Sequence, residues 1–290
     1  MQTWLIFALT YAFLHALCAV FDKHVLKNHK IDPISLSTIR YAIDAVVAYL
    51  LIAGLAGGIG AKITSGVIAI SVIYFFAGIT YFYALKFGDV SKLIPYRDAI
   101  VVLLSFFLAV VLLSENFIAL DFIGVLIIVL GGYIVWTDGK IIVPKKSPGL
   151  ALIAASAVFL ALNGVMVKSA VRDISPLALS FLMYVLVTIY FVLISLIFRR
   201  KEMYETINVL RAEKKIILPV VGASLAAAFG IVFQFYALSM QNAAKVLPIS
   251  GTLPLFAALI GWLALKEKHG VARVIGAVLL IIGIYILSTG

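Results

Sequence analysis

Ten stretches of the chain, at 3–21, 35–56, 65–85, 92–113, 118–137, 149–167, 177–198, 216–238, 245–265 and 271–289, run apolar for about twenty residues each. At ~1.5 Å rise per residue, a helix of that length crosses the ~30 Å hydrocarbon layer of a bilayer. That layer offers no water to the backbone, and a helix satisfies its own N–H and C=O groups within one segment. The pattern predicts an all-α integral membrane protein with ten transmembrane helices. Composition closes the soluble alternative: 64% of the 290 residues are hydrophobic and 12% charged, about half the charged share of an average soluble domain. Mean hydropathy is +1.17. The N-terminus turns apolar at once, without the basic stretch and cleavage site of a signal peptide, so it reads as a retained first helix.

The net charge of +10 is no sign of a nucleic-acid partner, because Lys and Arg gather in the cytoplasmic loops of membrane proteins. The single cysteine, Cys18, has no partner in the chain, which excludes an intramolecular disulfide. No phosphate-binding loop, zinc-protease or calcium-loop motif is present, and neither a cofactor nor a metal is expected.

Internal repetition gives the next constraint. FYAL, six residues, Lys, two residues and Pro occurs from Phe82 to Pro95 and again from Phe235 to Pro248, offset by 153. Glu115, Gly124, Gly131 and Tyr133 recur as Glu267, Gly276, Gly283 and Tyr285, offset by 152. Two ordered patterns at nearly one offset mark a duplication, with DGKIIVPKKSPG at 138–149 as the boundary and repeats at 1–140 and 148–290. Each repeat holds five crossing segments, and an odd number makes the second enter the membrane from the opposite side. The fold class expected is two inverted five-helix repeats, a plan that recurs among secondary transporters working by alternating access.

Let side A be the N-terminal side and side B the other. Seventeen Lys and Arg fall on side B and four on side A (Lys62, Lys168, Arg172 and Lys245), with Arg40 and Arg97 inside segments. The positive-inside rule puts side B in the cytoplasm and both termini outside. The polar insert at 199–215 carries Met203, Ile207 and Leu210 at i, i+4 and i+7, and reads either as a short amphipathic helix on the membrane surface or as a solvated basic loop.

Several residues together resemble the EamA family of the drug/metabolite transporter superfamily: a distinctive position in the first helix of each half (Cys18 and Asn163), Arg40 early in the second segment, FYAL, Pro95 within the fourth, and Glu115 before a glycine-bearing fifth. The resemblance spans essentially the whole chain. It implies a multi-pass cell-membrane transporter, often an exporter, of amino acids or other small metabolites, with substrate held centrally between the halves. It also implies termini inside, opposite to the charge bias.

Ionisable residues within membrane helices are costly unless paired or facing a wet cavity. His15, Arg40, Asp44, Arg97 and Asp98 are such residues, and counting ~1.5 Å per residue from the ends of their segments places all five in the half of the bilayer nearer side B. Arg40 and Asp44, at i, i+4, are placed for a mutual ion pair. The second half has Met183, Val187, Ser250 and Gly251 where the first has Arg40, Asp44, Arg97 and Asp98, so the charge is asymmetric and points to use as well as to mutual neutralisation within the bundle. Asn163, Gln234 and Tyr83 are further candidates to bind substrate; His15 reads either as a proton carrier or as a packing residue. Pro95, Pro248 and Pro254 each remove a helical hydrogen bond and are candidate hinges or packing kinks.

The function expected is a secondary active transporter, working outward, for small polar or amphipathic metabolites such as amino acids, with a proton or counter-substrate as the coupling partner, acting as a monomer or homodimer in the lipid bilayer. The alternative is an exchanger for phosphorylated or sugar-nucleotide metabolites, which calls for a denser basic cluster than two arginines. An intramembrane enzyme has only Cys18 with His15 to work with, and a channel has no filter-like repeat.

Overall fold

The protein is described by a computed structural model over residues 2–28, 31–55, 60, 62–87, 90–141, 146–265 and 271–289; Lys30, Lys145, Lys266, Glu267 and Lys268 lie outside the described residues. Among those residues the regular structure is helical: α1 (Thr3–Asn28), α2 (Pro33–Leu55), α3 (Ser65–Phe87), α4 (Val90–Leu113), α5 (Ala119–Thr137), α6 (Pro148–Ala170), α7 (Pro176–Phe198), α8 (Arg200–Ala212), α9 (Ile217–Met240), α10 (Ala243–Val246), a 3-10 stretch (Leu247–Thr252), α11 (Leu253–Leu265) and α12 (Val271–Thr289). Among the described residues, ten candidate spans are long and apolar enough to cross a membrane. The protein is a multi-pass integral membrane protein. Large apolar side chains face outward, with Leu218 78% and Val271 76% exposed, whereas Asp44, Asn163 and Ser224 are buried inside. Such a distribution suits lipid as the outer solvent.

Short polar residues and prolines set where helices begin. Asp32 accepts from the Ser35 N–H at 2.9 Å just ahead of Pro33; Ser147 and Ser175 accept from Leu150 and Ala178 at 3.2 and 3.3 Å just ahead of Pro148 and Pro176. Each pairs a capping oxygen with a proline at the first helical position, which has no N–H to satisfy. At the far end of α5, Asp138 and Gly139 adopt positive φ and stop the helix.

Two segments differ from the sequence expectation. α1 runs seven residues past 21, so Asp22, where the apolar run ends, is helical and inside the bundle. The ninth span is not one helix but α10, the 3-10 stretch and α11, with Pro248 and Gly251 in the tight turns and Pro254 in the first turn of α11. The segment at 199–215 forms α8, which packs on α2 and α7.

The packing is invariant when the halves are exchanged. α1 packs on α9 as α6 packs on α3, while α2 with α7 and α5 with α12 pair equivalent helices. The seam between α5 and α12 shows the sense of the axis. A Cβ on Gly131 would meet the Gly276 carbonyl at 2.9 Å, and one on Gly276 the Gly131 carbonyl at 2.8 Å; Gly124 and Gly283 face each other likewise at 3.2 and 2.9 Å. Going up one helix means going down the other, so equivalent helices run antiparallel. Only a two-fold axis perpendicular to them does this, and the repeats are inverted.

Contacts between helix ends respect the alternation of sides. On side A, the Glu115 oxygens accept from the N–H groups of Ala243 and Ala244 at 2.9 and 2.8 Å, and the Lys168 ammonium donates to the carbonyls of Leu238 and Gln241 at 2.7 and 2.8 Å. The first contact places a carboxylate on a helix N-terminus and the second an ammonium at a helix C-terminus, each the sign the helix dipole favours. Lys245 lies 3.7 Å from Asp121 on the same side. On side B, Arg199 donates to the Tyr83 hydroxyl and to Glu202 at 3.1 and 2.9 Å, contacts that hold its guanidinium above its ordinary value.

Candidate functional site

A cavity of about 140 Å³ lies between the halves. His15, Arg40, Asp44, Arg97, Asp98, Asn163 and Gln234 all line it, so seven of the eight residues singled out from the sequence meet in one place. The eighth, Tyr83, does not: its hydroxyl accepts from Arg199 at the side B surface. Tyr81, two residues earlier on α3, lines the cavity in its stead.

The first charged group is Arg97 with Asp98 on α4. The guanidinium Nε and Nη2 donate to Asp98 Oδ1 at 3.1 and 3.0 Å, and the guanidinium lies 4.6 Å from the centroid of the Tyr81 ring. The pair is stacked on an aromatic face, which restrains its orientation. Asp98 Oδ2 is buried and has no hydrogen-bond partner.

The second group is centred on Arg40 of α2. Its partner is not Asp44, as i, i+4 spacing suggested, but Asp22 of α1, to which Nη1 donates. Nη2 reaches the Cys18 sulfur at 3.1 Å and the Ala223 carbonyl of α9 at 3.4 Å. Three helices thus converge on one guanidinium. Asp22 is the site residue that sequence reasoning missed; its signal was an acid one turn beyond Cys18 on the same helix face, just past the apolar run.

Polar contacts at the walls are largely committed. The Asn163 amide donates to the Ile70 carbonyl at 2.9 Å, and the Ser156 hydroxyl to that of Ala77 at 2.8 Å, both tying α6 to α3. His15 packs edge-on to Tyr11, with ring centroids 5.0 Å apart. Gly78 keeps α3 open for Tyr41: a Cβ there would meet the Tyr41 hydroxyl at 3.2 Å. Nearer side A, Gly164 admits Leu247, whose methyl would lie 2.9 Å from an added Cβ, so α6 and the 3-10 stretch close tightly. The 3-10 stretch carrying Pro248 borders the cavity through Leu247 and Ser250, whereas α4 continues as an α-helix through Pro95.

The profile of one protein family, described as the EamA-like transporter family, matches residues 2–137 and 147–289. A solved crystal structure of a protein 18% identical covers 98% of this chain and 96% of its own, with a TM-score of 0.79, and shares the fold. Among curated proteins none matches significantly.

Proposed function

Because the chain belongs to the EamA-like transporter family, a transporter family of the drug/metabolite transporter superfamily, we propose that it is a secondary transporter exporting small zwitterionic metabolites, amino acids first among them, across the cell membrane by alternating access through the central cavity. The observation that carries this reading is the Arg97–Asp98 pair. A positive and a negative group stand side by side on the face of Tyr81, with one aspartate oxygen unpartnered. A zwitterion presents the complementary dipole, its carboxylate to Arg97 and its ammonium to Asp98 Oδ2. Arg40, Asp44, His15 and Gln234 complete the proposed binding wall, while Asn163 fixes α6 to it. Pro248 and Pro254 serve as hinges in the broken ninth span, and Pro95 is their counterpart in the first half.

The contacts of Glu115 and Lys168 brace side A in this state, while the cavity wall extends to Ser37, four residues from the side B end of α2. With side B cytoplasmic, as seventeen cations against four favour, the cavity is loaded from inside. A phosphorylated or sugar-nucleotide substrate fits less well, since Arg40 and Arg97 are each balanced by an aspartate and leave no surplus positive charge for a phosphate.

Uptake and counterflow in proteoliposomes test the proposal, with a panel of radiolabelled amino acids beside sugar phosphates. Arg97→Ala or Asp98→Ala should abolish amino-acid transport in a protein that still folds. If the double replacement Arg97→Met with Asp98→Leu transports normally, the pair is only a clasp and the reading fails.

A further inference from the structure

Two arginines and three aspartates line the cavity among the described residues. Arg40 is matched by Asp22 and Arg97 by Asp98, which leaves Asp44. Asp44 is 1% exposed, and its Oδ1 is buried with no hydrogen-bond partner. Charged and titratable groups surround it from every side: Arg40 and Tyr41 on α2, Cys18 and Asp22 on α1, Tyr74 on α3 and Tyr184 on α7, with Ser224 of α9 nearby, its hydroxyl donating to the Arg40 carbonyl at 3.5 Å. None of the tyrosines donates to it. Tyr184 donates to the Ala227 carbonyl at 3.1 Å, and Tyr41 meets Tyr74 edge to face with ring centroids 6.1 Å apart.

We propose that Asp44 is the site of the coupling proton, and that Arg40, moving between Asp22 and Asp44, loads and unloads it. The proposal rests on the transporter reading above. A bare carboxylate oxygen shut away from water is costly, and the cost disappears when the oxygen takes up a proton.

The switch follows from helix geometry. Asp44 stands one turn along α2 from Arg40, within reach of the same guanidinium, whose Nε has no partner. While Arg40 is held by Asp22 of α1, Asp44 keeps its proton on Oδ1. When α1 shifts and Asp22 withdraws, Arg40 turns to Asp44. The O–H bond then breaks, its electron pair stays on the carboxylate, and the proton passes to cavity water facing the opposite side. Rebinding of a proton frees Arg40 to return to Asp22. One proton moves per cycle, in exchange for substrate.

The test needs no substrate. Purified full-length protein in lipid nanodiscs is titrated by infrared difference spectroscopy, following the C=O stretch of a protonated carboxyl group. The wild type should show such a band at neutral pH, where an ordinary aspartate is ionised; Asp44→Asn should lack it and Asp98→Asn retain it. Asp22→Asn releases Arg40 toward Asp44, so the band should disappear at about tenfold or more higher proton concentration than in the wild type. Arg40→Gln should move it the opposite way, which keeps the test alive if one variant fails to fold. Absence of the band from the wild type, or its persistence in Asp44→Asn, overturns the proton site. Titrations unchanged in both Asp22→Asn and Arg40→Gln overturn the switch. If the band behaves as stated while the substrate panel shows no transport, the proton site stands and the transport reading falls.

Discussion

In the first half, Arg97 and Asp98 ride on an uninterrupted α4; in the second, the equivalent Ser250 and Gly251 lie in the 3-10 stretch between α10 and α11. A second pair of positions differs in the same sense. Asn163 of α6 binds the Ile70 carbonyl of α3 directly, whereas the equivalent Cys18 of α1 leaves the matching carbonyl, Ala223, to Arg40 reaching over from α2. One half has a broken crossing and uncharged residues at these positions, and the other carries charge on a continuous helix. The shared scaffold thus separates two features: the break in the helix lies in one half and the ionic groups beside the cavity in the other.

Six substitutions probe that contrast through the thermal stability of the purified protein. Arg40→Met strands Asp22 and should cost ~3–5 kcal/mol, while the equivalent Met183→Leu should cost under ~1.5 kcal/mol; equal losses would mean that the charge asymmetry has no energetic weight. Gly131→Ala and its equivalent Gly283→Ala each push a methyl against the other helix's backbone, and both should cost ~1–3 kcal/mol and match each other, since this seam is symmetric. Glu115→Gln removes the carboxylate from the start of α10 and should cost ~0.5–2 kcal/mol, with faster thiol labelling at a cysteine introduced at Asn242 as side A loosens. The smallest effect should be Asn163→Cys, at ~0.5–1.5 kcal/mol for one lost hydrogen bond. It makes the second half resemble the first, and a larger loss would show that Asn163 supports more than the α3 contact.

The ten spans, the duplication and the grouping of the charges around one cavity were legible because each follows from local hydropathy, spacing and helical rise. What escaped depends on how helices turn against one another. The i, i+4 rule offers Arg40 the partner on its own helix, but packing brings Asp22 closer from α1. The FYAL block identifies α3 without giving its rotation, and the two-residue step from Tyr81 to Tyr83 turns the side chain about 200° around the axis, from the cavity to Arg199. Pro95 and Pro248 carry the same motif, yet only the second accompanies a broken helix. What differs nearby is Gly251 and Pro254 in place of Asp98 and Val101.

The glycine seam between α5 and α12 has a consequence of another kind. Gly124 faces Gly283 and Gly131 faces Gly276, so the patch that one half presents is the patch it receives. Such an isologous surface fits its own copy. A five-helix half inserted in both orientations could therefore pair with itself, and the link at 138–149 is not required to make the seam. What the link guarantees is stoichiometry, one member of each orientation in every molecule. Under that guarantee the two members are no longer bound to be identical, and a mutation in one no longer appears in the other. Covalent fusion is thus the condition under which one half can carry Arg97 and Asp98 while the other carries Ser250 and Gly251.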